Sequence, residues 1–234
     1  QYIIEKPLYS LINNIDGTKN VLKIAEKRKT PVLITSTSEV YGKLDRFPFR
    51  EDADRMYGSA YNERWGYALS KAVDEFVALA YWREKKLPVI VVRLFNTVGP
   101  RQTGRYGMVI PRFVENAKAN KPIPVYDNGK QVRCFTHVHD VVDALIRLMK
   151  TKAAYGEIVN IGSNKPISIN DLAKKIIQMT GSSSIIQHIP YSKAFSETFE
   201  DMQKRVPNLS KARKLIGYKP SYNLNEILQS IIRE

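Results

Sequence analysis

Val89-Ile90-Val91-Val92-Arg93-Leu94-Phe95 is a continuous β-branched and apolar run that opens into the polar Asn96-Thr97-Val98-Gly99-Pro100-Arg101. A run of that kind predicts a strand covered on both faces. Upstream, Val32-Leu33-Ile34-Thr35 is a shorter run of the same character, opening into Ser36-Thr37-Ser38-Glu39. Between them, Trp65 to Lys86 has helical periodicity, with Leu69, Val73, Phe76, Val77 and Ala80 on one face. Strand, helix, strand at this spacing predicts parallel βαβ units with helices on both faces of the sheet. Ligands of such sheets gather at the carboxyl ends of the strands. Here those ends carry Ser36 to Glu39 and Asn96 to Arg101.

Working outward, Leu11 to Lys29 reads as a helix through Val21, Leu22 and Ala25, stopped by Thr30-Pro31. Ile123 to Tyr126 is a short strand, Val138 to Lys150 a helix and Glu157 to Gly162 another strand. Ser168 is the expected N-cap of a helix with Asp171 three residues on and Gly181 at its end. Asn208 is expected to cap Leu209 to Ile216, with Gly217 beyond, and Leu224 to Ile232 is a last helix. No internal repeat or low-complexity linker separates the halves, so they are expected to pack tightly.

The 234 residues suffice for one large domain or two small ones, and a 43% hydrophobic, 26% charged composition is that of a folded protein. The single cysteine, Cys134, excludes a disulfide framework and a multi-cysteine metal site, and predicts a reducing compartment, the cytoplasm. No apolar run approaches the ~20 residues that cross a bilayer, so no membrane partner is expected. The formal charge of +14 attracts anions without choosing among them. No basic run is interleaved with stacking aromatics, so RNA is not the expected anion.

Tyr67-Ala68-Leu69-Ser70-Lys71 places a phenol and an ammonium on one helix face. A neighbouring cation favours phenolate, so Tyr67 is expected to have its pKa lowered toward the range of a general base. The spacing alone is common. Its setting is not: Thr35-Ser36-Thr37-Ser38-Glu39-Val40-Tyr41-Gly42 lies upstream at a strand end. Arg93 to Arg101 and Gln131-Val132-Arg133-Cys134-Phe135-Thr136-His137-Val138-His139-Asp140 follow downstream, the latter after an Asn-Gly turn.

In this order and spacing the four motifs, together with Asn13-Asn14-Ile15-Asp16-Gly17-Thr18, resemble the extended short-chain dehydrogenase/reductase family. The likeness is to its NAD-dependent nucleotide-sugar epimerases, decarboxylases and 4,6-dehydratases, and it runs from Asn13 to the C-terminus. It implies a Rossmann-like, doubly wound α/β fold, with residues 1–100 the remainder of an NAD-binding domain. Residues 101–234 are then mainly a substrate-binding region with segments returning to the Rossmann core. The family's G-x-x-G-x-x-G turn, which binds the dinucleotide pyrophosphate, does not occur among the 12 glycines. The resemblance therefore places Gln1 inside the family's first half.

By the same resemblance Tyr67 is the catalytic base and Lys71 its activator and a ligand of the nicotinamide ribose, while Thr37 holds the sugar 4-OH. Asn13, Thr35, Ser36 and Phe95 line the NAD site. Ser38, Asn96 and Arg133 are on the substrate side, the last two gripping the diphosphate. Val109, Arg112, Val125 and Tyr126 enclose the nucleoside, and Arg205 lies near the sugar or phosphate. Removal of the 4-OH proton by Tyr67 with hydride loss from C4 gives a 4-keto sugar, after which the subfamilies diverge. Glu39 in a Thr-Ser-Glu trio resembles the UDP-glucuronate decarboxylases and some GDP-mannose 4,6-dehydratases, whereas the stretch Asn96 to Val114 with its Gly104-Arg105-Tyr106-Gly107 loop resembles 4-epimerases. A UDP-sugar 4-epimerase is the first expectation, UDP-glucuronate decarboxylation the next and 4,6-dehydration the third.

The partners implied are a nucleotide-diphosphate sugar, UDP-linked, and a second copy of the chain joined through a four-helix contact that includes the Tyr67 helix. Two other classes compete: a nucleic-acid-binding protein on a reused scaffold, and a substrate-binding piece without activity. Thr37, Tyr67 and Lys71 standing together weigh against the first. His137, His139 and Asp140 are expected to fix a turn and not to bind metal; Cys134, Trp65 and Trp82 are expected to be packing residues. Arg101 and Arg105 remain open between phosphate contact and dimer surface.

Overall fold

The computed structural model describes residues 6–104, 108–194 and 201–234. In chain order its elements begin α1 (Pro7–Arg28), β1 (Val32–Thr37), a 3₁₀ turn (Ser38–Tyr41), α2 (Arg64–Lys85), β2 (Val89–Leu94) and β3 (Thr97–Val98). They continue with α3 (Val109–Lys118), β4 (Ile123–Tyr126), β5 (Val132–Cys134), β6 (Thr136–His137), α4 (Val138–Lys150), β7 (Ile158–Ile161) and β8 (Pro166–Ser168). The last are α5 (Ile169–Thr180), β9 (Ile186–Ile189), α6 (Tyr191–Ala194), α7 (Ser210–Ile216) and α8 (Leu224–Ile232).

The central sheet has the order β1-β2-β7, all parallel. Val32 lies opposite Val89 and Thr37 opposite Leu94, so the two polar strand ends predicted to face a ligand lie side by side. Ile90, Val91 and Val92 of β2 are wholly buried, each contributing ~1.5–3 kcal/mol of burial free energy. On one side Leu22, Ala25 and Ala78 pack on the sheet, and on the other Ala144, Leu148 and Ala212. A second core lies beyond the sheet, around Ile110, Phe113, Ile123, Ile176 and Leu228. Among the described residues no helix is long and apolar enough to cross a membrane.

The predicted caps are found where chemistry asks for them. The Ser168 hydroxyl accepts from the Asp171 N–H at 3.0 Å, and Gly181 and Gly217 close α5 and α7 in the left-handed region. Asn208 acts one residue earlier than expected. Leu209 occupies the N-cap of α7, and the Asn208 side chain accepts from the Ser210 N–H at 2.8 Å. The Asn128-Gly129 turn needs its glycine: φ is +67°, and a Cβ there would lie 2.3 Å from the Asn170 Oδ1.

One expectation is reversed. Leu69, Val73 and Phe76, read as a core-facing stripe, are 41%, 39% and 63% exposed. The face of α2 turned inward carries Ala68, Ala72 and Ala78 together with Ser70, Asp74 and Glu75. Small residues let the helix approach the sheet closely, and the polar ones are tied into a buried network. Periodicity locates an apolar stripe but not what covers it.

Candidate active site

At the carboxyl end of β1, Thr37 turns the chain into the 3₁₀ segment. Its Oγ1 accepts from the Glu39 N–H at 3.2 Å, which leaves its own proton to donate. Tyr67, on the first turn of α2, lies near enough for the Thr37 hydroxyl to favour its phenolate. The two groups on which the sequence reading depends thus lie near one another. The expected lowering of the phenol is not found. Burial and the Glu39 carboxylate raise the Tyr67 pKa above its ordinary value, against the help of Thr37 and Arg205. The cation expected to reverse this is engaged elsewhere: Lys71 Nζ donates to Asp74 Oδ2 at 2.7 Å.

Beside this pair three arginines converge. Asp201 accepts from Arg64 at 3.0 Å and Arg133 at 2.8 Å, with Arg205 at 3.9 Å. Glu39 lies 3.2 Å from Arg205 and 4.0 Å from Arg64. Burial, with Arg205 alongside, brings the Arg133 guanidinium down to about 10. The three arginines hold the Asp201 carboxyl below the usual carboxylate range even though burial pushes it up. Tyr191 donates to Asp201 at 3.1 Å and stacks on Tyr126, whose hydroxyl accepts from Arg112 at 3.3 Å. Asn96 reaches the Cys134 carbonyl at 3.2 Å, next to Arg133. A polar path therefore runs from Thr37 and Tyr67 through Arg205 and Arg133 to Tyr126.

Several expected residues stand away from this path. Asn13 is exposed; it is Asn14 that donates to Ser70 on α2, at 3.0 Å, because it lies on the helix face packed there. Thr35 is exposed, and Ser36, pointing to the opposite side of the strand, donates to Glu75 at 2.5 Å. Phe95 and Val125 are wholly buried, the first beside Tyr41 and the second in the core around Phe113. Phe95, just past the end of β2, is buried among Tyr41 and its neighbours, and Val125 points inward by the alternation of β4. Val109 packs on the same core. Ser38 is buried behind the 3₁₀ turn. Arg105 and its two neighbours lie outside the described residues. Arg101, at φ +64°, donates its N–H to Glu234 and is exposed.

The turn residues behave as read: His137 caps α4 by accepting from the His139 N–H, and Asp140 accepts from Ser221 and Tyr222. Sequence reasoning missed Arg64, Asp201, Tyr191 and Asn14. Arg64 had a signal, since it sits one helical turn before Tyr67. Asp201 had none, because two of its partners, Arg64 on α2 and Arg133 on β5, reach it only through folding.

The family model described as GDP-mannose 4,6 dehydratase matches residues 1–231. The chain belongs to the NAD-dependent nucleotide-sugar epimerase and dehydratase family. It is 42% identical to the UDP-N-acetyl-alpha-D-glucosaminuronate decarboxylase of Bacillus cytotoxicus, over 98% of this chain and 71% of that protein. UDP-glucuronic acid decarboxylase 1 of Xenopus tropicalis is 34% identical over 97% of this chain, which spans about half of that relative's length, 52%. The UDP-glucuronic acid 4-epimerase of Bacillus cereus, solved with UDP-glucuronic acid and NAD, superposes with a TM-score of 0.83 at 25% identity, over 95% of this chain and 67% of that one. The cofactor of the family is NAD. The donor set here fits its nicotinamide ribose end, with the Tyr67 hydroxyl and Lys71 ammonium on one helix at the carboxyl ends of β1 and β2. The glycine-rich turn for the pyrophosphate is not in this sequence, and β1 is the outer strand of the described sheet.

Proposed function

We propose that the whole protein removes the carboxylate of a UDP-linked hexuronate by way of a 4-keto sugar. The observation that supports this over the other members of the class is the convergence of Glu39, Arg205 and Arg64 beside the Thr37 and Tyr67 pair. Two guanidinium groups form a receptor for a carboxylate on the sugar, and Glu39 adds a second proton-transferring group to the crevice. Thr37 aligns the 4-OH and Tyr67 takes its proton. NAD, when bound, accepts the hydride from C4 and later returns it. With a ketone at C4, the bond from C5 to the carboxylate breaks, CO2 leaves, and its electron pair moves onto the C4 oxygen. C5 then takes up a proton, for which Glu39 is the added donor. Arg133 and Asn96 grip the diphosphate, and Arg112 with Tyr126 meets the nucleoside end.

Chromatography of the products from UDP-glucuronate, UDP-N-acetylglucosaminuronate and the matching neutral UDP-sugars tests this on the whole protein. Release of CO2 with a UDP-pentose from a uronate is the expected result. Tyr67→Phe is expected to reduce turnover by ~10²–10⁴. Interconversion of neutral sugars alone would move the protein to the 4-epimerases, and full turnover by Tyr67→Phe would remove the proton-transfer role.

We also infer a homodimer. Leu8 and Ile12 of α1 and Leu69, Val73 and Phe76 of α2 expose apolar side chains on two helices that pack together; a second copy covers them in the family-like four-helix contact. Sedimentation is expected to show a dimer, and Phe76→Glu a monomer. A nucleotide-sugar substrate and a single buried thiol fit the cytoplasm.

A further inference from the structure

Asp74 is 1% exposed, sits one helical turn beyond Lys71, and binds its ammonium through Oδ2 at 2.7 Å. Its other oxygen, Oδ1, is buried with no hydrogen-bond partner among the described residues. Leaving a buried carboxylate oxygen without a partner is costly. Glu75, the next residue along, shows how this fold treats a buried carboxylate that only holds structure: both of its oxygens are bonded, by Arg93, Arg55 and Ser36. Asp74 has been given one cation, and that cation is the group assigned to Tyr67.

We propose that Asp74 is a positioning residue that holds the Lys71 ammonium away from the Tyr67 phenol and so sets the pH at which Tyr67 can accept a proton. Lys71 is not among the main groups that act on the Tyr67 phenol, and it is paired with Asp74. Asp74 also acts directly, since its charge is among those that raise the Tyr67 pKa. The other groups facing the pair are accounted for. The 3₁₀ turn contributes Glu39, itself paired with Arg205 and Arg64; β1 contributes Thr37; β2 contributes Arg93, committed to Glu75. From α1 comes the neutral Asn14 on Ser70, while Asp16 and Lys19 pair with each other in solvent. Among the described residues Asp74 is thus a buried carboxylate paired with Lys71. When a ligand draws Lys71 toward the ribose and Tyr67, Asp74 loses its partner, so the rest position and the working position of the ammonium compete.

The inference rests on the assignment of Tyr67 and Lys71 to proton transfer, and the test separates the two. The pH dependence of kcat/KM is measured on the whole enzyme for wild type, Asp74→Asn, Asp74→Glu and Tyr67→Phe, with thermal unfolding alongside. Neutralising Asp74 frees Lys71 and removes a repulsive charge, so the acid limb governed by Tyr67 is expected to move down by about one pH unit, about tenfold more phenolate below the limb. Asp74→Glu, which keeps the charge, is expected to restore the wild-type limb. A residue that merely supports the helix would lower the unfolding temperature and leave the limb where it was; that result overturns the proposal. If Asp74→Asn does not fold, Asp74→Ser is read in the same way, and failure of both to fold makes the carboxylate structural and also overturns it. Activity surviving in Tyr67→Phe would instead refute the assignment on which the proposal stands.

Discussion

Two clusters of arginine and carboxylate lie within this chain, and they are built differently. In the first, Glu75 of α2 is met by Arg93 of β2 in a bidentate pair at 3.0 and 2.8 Å, by Arg55 and by Ser36. Arg93 and Glu75 are both 1% exposed along their side chains, and both stand on regular elements. Burial pulls Arg93 down, yet Glu75 and Tyr41 more than offset it and hold the guanidinium above its usual range. In the second, Arg64, Arg133 and Arg205 surround Asp201 and Glu39. Cations outnumber carboxylates, Arg205 Nε is buried without a partner, and Asp201 comes from an irregular segment. In the first cluster both Glu75 oxygens are bonded, although Arg55 Nη1 is buried without a partner, and the cluster serves the fold. The second gathers three guanidinium groups on two carboxylates, one of them from an irregular segment, and these can exchange partners for an anionic substrate.

The comparison is broken most directly at Glu75. Glu75→Gln leaves Arg93 buried without its counter-charge, and removal of one partner from a buried pair costs about 3–5 kcal/mol. Chemical denaturation of the protein is expected to show a loss of that size with an unchanged denaturant slope. A loss under about 1 kcal/mol would mean that the Glu51 carbonyl and Tyr41 already satisfy Arg93, and the contrast between a structural and an exchangeable cluster would fail.

The difference between the clusters also marks how far the sequence could be read. The β1-α2-β2 unit was legible because Val32 to Thr35 and Val89 to Leu94 are apolar runs dense enough to have no other use. The meeting of Thr37 with Tyr67 followed from strand ends lying side by side. What periodicity missed was direction: the Leu69, Val73 and Phe76 stripe looked like core, while the true inward face hides Asp74 and Glu75 behind alanines. The short pairings β3 with β6 and β5 with β8 are too brief to show a pattern. Phe95 and Val125 carried family positions but are wholly buried, the first just past the end of β2 and the second on the inward side of β4, which a motif match does not register. Arg64 was recoverable from helical spacing; Asp201 was not, because only folding brings it to Arg133.

The second cluster is sharpened at Asp201, with a smaller effect on stability and an opposite one on binding. Asp201 occupies Arg133, the arginine proposed to grip the diphosphate, so Asp201→Asn removes a competitor. Titration calorimetry is expected to show UDP binding tightened on the order of tenfold, equivalent to ~1.4 kcal/mol. The stability cost has a definite pH signature. Because the arginines depress the Asp201 pKa in the folded state, its contribution is present above the ordinary carboxylate value near ~3.9 and disappears as pH falls through the lower folded value. Wild type and Asp201→Asn are therefore expected to differ at neutral pH and to converge in acid. Weaker UDP binding in the variant would show that Asp201 arranges the guanidinium groups and does not compete for them, which would place this cluster with Glu75 after all.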